Sequence, residues 1–232
     1  MVVAYRPAFS GSSDRKLRPN LAGFVRWNRI TLTGAGGFTT RQHDDVERGL
    51  DAEVIRRGKF RANLSLRLDN GRNASDSVQL AGLGDIEPTL RGQLSLRWAF
   101  APLWQMSLAA NGDLLGKQGG VTTGVGLSRT LPIDARQRLI LSAAATLGNS
   151  RYMQTWYGVS PSQGAASGLP VYEAGAGWRD IGGSAIWRID FNPDWAGFCG
   201  VSASRLLGPA AASPLAFERS GATWSAALVR RF

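Results

Sequence analysis

The chain has a single cysteine, Cys199, and a single histidine, His43. One cysteine excludes an intrachain disulfide and a cysteine-based metal cluster. His43 stands beside Asp44 and Asp45, but no second nitrogen or thiolate ligand is available to close a metal site, so a solvated loop is expected there. Lysine is nearly missing: Lys16, Lys59 and Lys117 are the only ones, and the formal charge of +10 rests on arginine. Those arginines stand singly along strand-like segments, whereas a nucleic-acid footprint needs them clustered; anionic lipid head groups or a charged lumen fit the scatter better, and no nucleic-acid partner is expected. No apolar run approaches the roughly 18 residues of a membrane-crossing helix. The opening "MVVAYRPAFSGSSDRK" lacks the basic, apolar and small-residue regions of an export signal. Neither absence bears on a membrane barrel, which hides its hydrophobicity in alternation.

What the chain has is glycine (29), tryptophan (8), a mean hydropathy of −0.13 and regular two-residue alternation. In "RANLSLRLD", Ala62, Leu64, Leu66 and Leu68 share one face, and Arg61, Asn63, Ser65, Arg67 and Asp69 share the other. "LRGQLSLRWAF" and "WQMSLAANGD" repeat the pattern, and "IGGSAIWRIDF" does so with one lapse at Ile186. Runs of this length are strands able to cross a bilayer when tilted. Short connections (28–29, 57–59, 101–102, 131–134, 192–194) alternate with long polar ones (9–19, 38–48, 69–86, 112–120, 148–176, 207–221). That order predicts an all-β, up-and-down antiparallel transmembrane barrel in residues 1–232, taken as a single domain of about 12 strands, with ten as the alternative. Short turns would face the periplasm and long loops the exterior. "HDDVERGLDAEVIRR" and "RLILSAAATL" carry competing helical propensity.

Trp27, Phe60, Trp98, Phe100, Trp104, Trp187, Phe191 and Trp195 lie near short turns, and Tyr152, Trp156 and Tyr157 lie at the other rim. Two aromatic belts are what the two interfaces of a bilayer favour. A soluble barrel would need a dry core, which faces lined with Arg, Gln, Asn and Ser do not supply.

The long connection "YGVSPSQGAASGLPVYEAGAGWRD" is rich in aromatics, proline and glycine and poor in reactive groups. Tyr157, Gly158, Val159 and Ser160, then Ser167, Gly168, Leu169, Pro170 and Tyr172, resemble the MltA-interacting protein (MipA/OmpV) family of outer-membrane barrels. "GLGDI" at 82–86, "SRLLGPAAASP" at 204–214, "PAFSGSSD" at 7–14 and the closing Arg231-Phe232 support the resemblance across nearly the whole chain. Relative to the family, the chain starts late, its 38–48 segment is long, and Arg230 replaces the usual aromatic on the lipid-facing phase.

The resemblance implies a Gram-negative outer-membrane location and a terminal Phe232 that marks the barrel for insertion. It also implies a non-catalytic scaffold that brings together a murein lytic transglycosylase and a bifunctional penicillin-binding protein, with outer-membrane lipids around a monomer. The 157–172 loop is then a candidate partner contact, weighed evenly against a loop that only folds over the mouth. No catalytic residue, cofactor or metal is expected. The competing readings are a small-solute pore, a surface or adhesion protein, and, as a minority reading, a lipid-modifying enzyme built on His43 and a loop serine such as Ser160. For Arg61, Arg67, Arg91, Arg97 and Arg188 on the polar phase, pairing with carboxylates such as Asp69 and Asp190 is favoured over anion passage through a basic lumen. Cys199 is expected on the lipid-facing phase.

Overall fold

In a computed structural model, the structure describes residues 1–20, 24–33, 48–117 and 119–230. His43 and Phe232, with the 34–47 segment, lie outside them. The strands are β1 (Val2–Pro7), β2 (Arg15–Asn20), β3 (Phe24–Trp27), β4 (Ile30–Thr33), β5 (Arg48–Arg57), β6 (Phe60–Asp69), β7 (Thr89–Ala101), β8 (Trp104–Asp113), β9 (Val121–Pro132), β10 (Gln137–Gly148), β11 (Gly177–Asp190), β12 (Trp195–Leu206) and β13 (Ser220–Arg230). Each pairs antiparallel with its neighbours in one sheet, ordered β2-β1-β13 and then down to β3. β2 and β3 therefore sit at the two ends of the sheet while only residues 21–23 separate them in the chain. A connection that short reaches at most about 15 Å, which brings the two ends of the sheet together as the closure of a barrel requires. β2 pairs with β1 and β3 with β4, and counting the two as one stave gives the expected twelve.

The alternation sets which face is which. Leu64, Leu66, Leu68, Leu94, Leu96 and Trp98 are exposed on the outside, while Asn63, Ser65, Arg67, Asp69, Arg91, Gln93 and Ser95 are buried in the interior. An apolar exterior around a polar interior is the inverse of a soluble barrel and suits a bilayer. Cys199 lies on the exterior, paired across the ladder with the outward Trp187. Ile186, which breaks the alternation, faces inward and packs under Gly200. Both segments with helical propensity are strands over their described residues, because the ladder satisfies every backbone group that a helix there would otherwise satisfy alone.

Three bulges adjust the ladder, between Glu53 and Ile55, Trp98 and Ala101, and Thr146 and Leu147. The first shifts the phase by one residue, so Glu53 and Arg56 share the inward face. At the short-turn rim, Phe60 stacks on Trp98 at 5.6 Å, and Phe100 continues the row towards Trp104. Arg230 and Arg129, outward charges on this rim, lie over Trp195 and Trp104 at 5.7 and 5.1 Å. Stacking keeps the arginine stems on apolar surface with the charge at the interface, which accommodates Arg230 where an aromatic was expected.

Candidate functional site

The loops at the other rim are built as a unit. The β10–β11 connection folds into two helices, α1 (Ser150–Tyr157) and α2 (Pro161–Ser167). Asn149 caps α1 by accepting from the Tyr152 amide at 2.9 Å. Ser160 caps α2 through a reciprocal box with Gln163, and Pro161 fits the first turn. The chain then turns back at Gly168, whose positive φ suits only glycine well, so that Val159 and Tyr172 pair as an isolated bridge. A third helix, α3 (Gly208–Ala212), lies in the β12–β13 connection.

Three loops, β1–β2, β6–β7 and β10–β11, leave the ring at intervals of four staves. Loops so placed can touch only by converging over the mouth, and they do touch. The Tyr157 hydroxyl bonds Ser10 Oγ at 3.0 Å, Gln79 accepts from Ser12 at 3.0 Å, and Gln163 Nε2 donates to the Leu83 carbonyl at 2.6 Å. Arg72 donates through Nη1 to the Trp156 carbonyl at 3.1 Å, and burial lowers its pKa to about 10. Two small apolar cores hold the assembly. One gathers Tyr152, Met153, Tyr157, Ala174, Leu206 and Ala210; the other gathers Leu80, Leu83, Val159 and Leu215.

Beneath this cap, Tyr152 enters the lumen between two arginines from strands four staves apart. The Arg91 guanidinium lies 5.4 Å and that of Arg179 5.7 Å from its ring centre. Arg179 donates to the Tyr152 hydroxyl at 2.8 Å and holds Asp180 through Nε. Arg91 holds Asp69 at 2.6 Å and the Gly119 carbonyl at 3.0 Å. Deeper in the barrel Arg188 and Arg138 share Asp190 at 2.8 and 3.1 Å. For Arg91 and Arg188, carboxylate pairing is thus the observed role. Polar atoms of Asn63, Gln93, Asn111 and Ser184 line the interior without protein partners, the condition of a surface that meets water.

The candidate contact residues divide into two groups. Tyr157, Gly158 and Val159 are buried in the cap, and Tyr172 is half-buried with its hydroxyl on the Pro209 carbonyl at 2.9 Å. Ser160 and Ser167 are taken up by helix ends and Leu169 packs on the second core. Gly168 and Pro170 are exposed, with Val171 beside them. The cap is therefore held in large part by residues that carry the family resemblance, while Gly168, Pro170 and the outer face of α2 are exposed. Tyr152, Trp156 and Tyr157 do not form an outer lipid-facing belt; they turn into the mouth, where α1 has an apolar core to fill. The sequence also gave no sign of Arg72 and Arg179 as cap residues, since each depends on a partner brought from another loop or strand.

A family model described as MltA-interacting protein MipA matches residues 1–232. Among solved structures, the NanC porin is similar over 100% of this chain and 98% of its own, at a TM-score of 0.53 and 9% identity. Pseudomonas aeruginosa OccK11 (OpdR) is similar over 94% of this chain and 82% of its own, at 0.37 and 11%. Vibrio cholerae OmpT with loop L8 deleted, an outer membrane protein, covers 94% and 63% at 0.43 and 5%. No curated protein matches.

Proposed function

From the premise that this outer-membrane β-barrel protein belongs to the MltA-interacting protein MipA family, we propose that it is a non-catalytic scaffold. It binds an MltA-type murein lytic transglycosylase and holds a bifunctional penicillin-binding protein near it at the outer membrane. The observation that carries this reading is the match of one family over the whole chain. The cap supports a binding role over transport: loops from thirds of the ring are locked over the mouth by two apolar cores. It also supports the absence of catalysis, because Ser160, the serine of the minority enzyme reading, is committed to capping α2.

The test is affinity capture from the outer membrane of a Gram-negative host expressing the tagged chain behind an export signal. Retention of MltA and a penicillin-binding protein with the folded barrel is expected. Capture of neither, with the barrel folded as judged by a faster-migrating unheated band, removes the reading.

A further inference from the structure

Resting on the scaffold reading, we propose that the partner docks through an acidic protein surface onto a basic patch at the short-turn rim, formed by the β3–β4 and β5–β6 hairpins. Arg29, Arg56, Arg57, Lys59 and Arg61 are all exposed there. The patch is fixed by backbone rather than by loop excursions. The Arg29 carbonyl accepts from the Glu53 amide at 2.9 Å, and the Lys59 carbonyl accepts from the Ala99 amide at 3.0 Å, tying both turns into the ladder. Arg56 faces Arg61 across one ladder and Arg61 faces Arg97 across the next.

Like charges placed directly opposite one another cost stability in a sheet. Elsewhere this barrel relieves that cost: Arg91 opposite Arg67 is held by Asp69, and Arg138 opposite Arg188 shares Asp190. At this patch the relief is partial, reaching Arg56 opposite Arg61 through Glu53 but leaving Arg61 opposite Arg97 without an ion pair among the described residues. Among the described residues Glu53 is bound to Arg56, while Asp51, one pair deeper, is engaged by Asn63 at 2.5 Å and by Ser65. Among the described residues no carboxylate forms an ion pair with Arg29, Arg57, Lys59, Arg61 or Arg97, and the buried Nε of Arg97 has no acceptor. The far side of the same rim is nearer to balance, with the two carboxylates of Asp134 and Asp190 among the guanidiniums of Arg136, Arg138 and Arg188. A one-sided excess of cations on rigid turns is a complementary face for acidic side chains. At physiological salt such a field reaches about 8 Å, enough to steer and orient an incoming surface.

The test compares binding of purified MltA to the full chain in nanodiscs of uncharged lipid, at low and high salt. Variants are the triple Arg29→Glu/Arg57→Glu/Lys59→Glu, the same triple to Gln, and Arg136→Glu as a control on the far side. All must pass the heat-modifiability test for a folded barrel. The expected result is association slowed at least ~10-fold by the Glu triple and less by the Gln triple, with the salt dependence reduced and Arg136→Glu unchanged. Equal binding by wild type and the Glu triple overturns the patch and leaves the scaffold reading standing. Absence of MltA binding by the folded wild type overturns both. Binding only when anionic lipid is present in the disc makes the lipid the occupant and overturns the patch as a protein-docking face.

Discussion

Arg179 donates through Nη1 to the Tyr152 hydroxyl at 2.8 Å, and this bond fastens the first cap helix to the wall of the barrel. Both groups are buried. Hydrogen bonds to a charged group contribute about 1.5–3 kcal/mol, so Tyr152→Phe, which keeps the ring between Arg91 and Arg179, is expected to raise local opening of residues 149–157 by roughly 10- to 100-fold. Hydrogen exchange of that segment measures it. Tyr152→Ala removes the ring as well, and detectable solute flux through liposomes is the expected consequence.

Gly82 opens the "GLGDI" stretch and explains it. Its φ is +80°, and a Cβ there would stand 2.6 Å from the backbone of Ala166 in the neighbouring cap loop. Gly82→Ala is therefore both strained and obstructed, with strain alone of about 1–2 kcal/mol. Faster proteolysis within residues 157–172, with the barrel still heat-modifiable, is the expected outcome.

Cys199 faces lipid. A membrane-permeant maleimide should label it in the folded barrel, and a charged, impermeant one should not. Equal labelling by both would place that face of β12 in water and reverse the assignment of inside and outside.

The Lys117 ammonium donates to Glu87 at 2.7 Å, linking the β8–β9 and β6–β7 loops. This bond lowers the Glu87 pKa and raises that of Lys117. A lowered carboxylate contributes stability above its unfolded value and loses it as pH falls through the folded one; the raised lysine loses its share only as pH rises through its own raised value. The link is thus complete at neutral pH and released in acid. Hydrogen exchange of residues 113–117, corrected for the intrinsic pH dependence, should show protection falling on the acid side in wild type and no such step in Glu87→Gln.

The strands were legible because a membrane barrel writes itself as alternation, and the turns because Asn28, Gly58 and Pro102 mark them. Alternation cannot say which phase is inside; only the burial of Arg67, Asp69, Arg91 and Gln93 does. The bulge beside Glu53 was invisible, since one extra residue changes phase without a compositional mark, and the split of one stave into β2 and β3 depends on which neighbours each half meets. The cap was the least legible part. Its cores join Leu80, Val159 and Leu215, which are far apart in sequence, so aromatic residues destined for the mouth read as members of a lipid-facing belt. The family-resembling residues were found by sequence, but their burial, and hence their role in holding the cap, was not.

The most direct test of the proposed binding role is the conductance of the wild-type protein in a planar bilayer, recorded on a preparation shown to bind MltA. A silent bilayer is expected, with steady openings appearing only on Tyr152→Ala. Stable channels from the wild type would contradict it and make solute passage the primary activity.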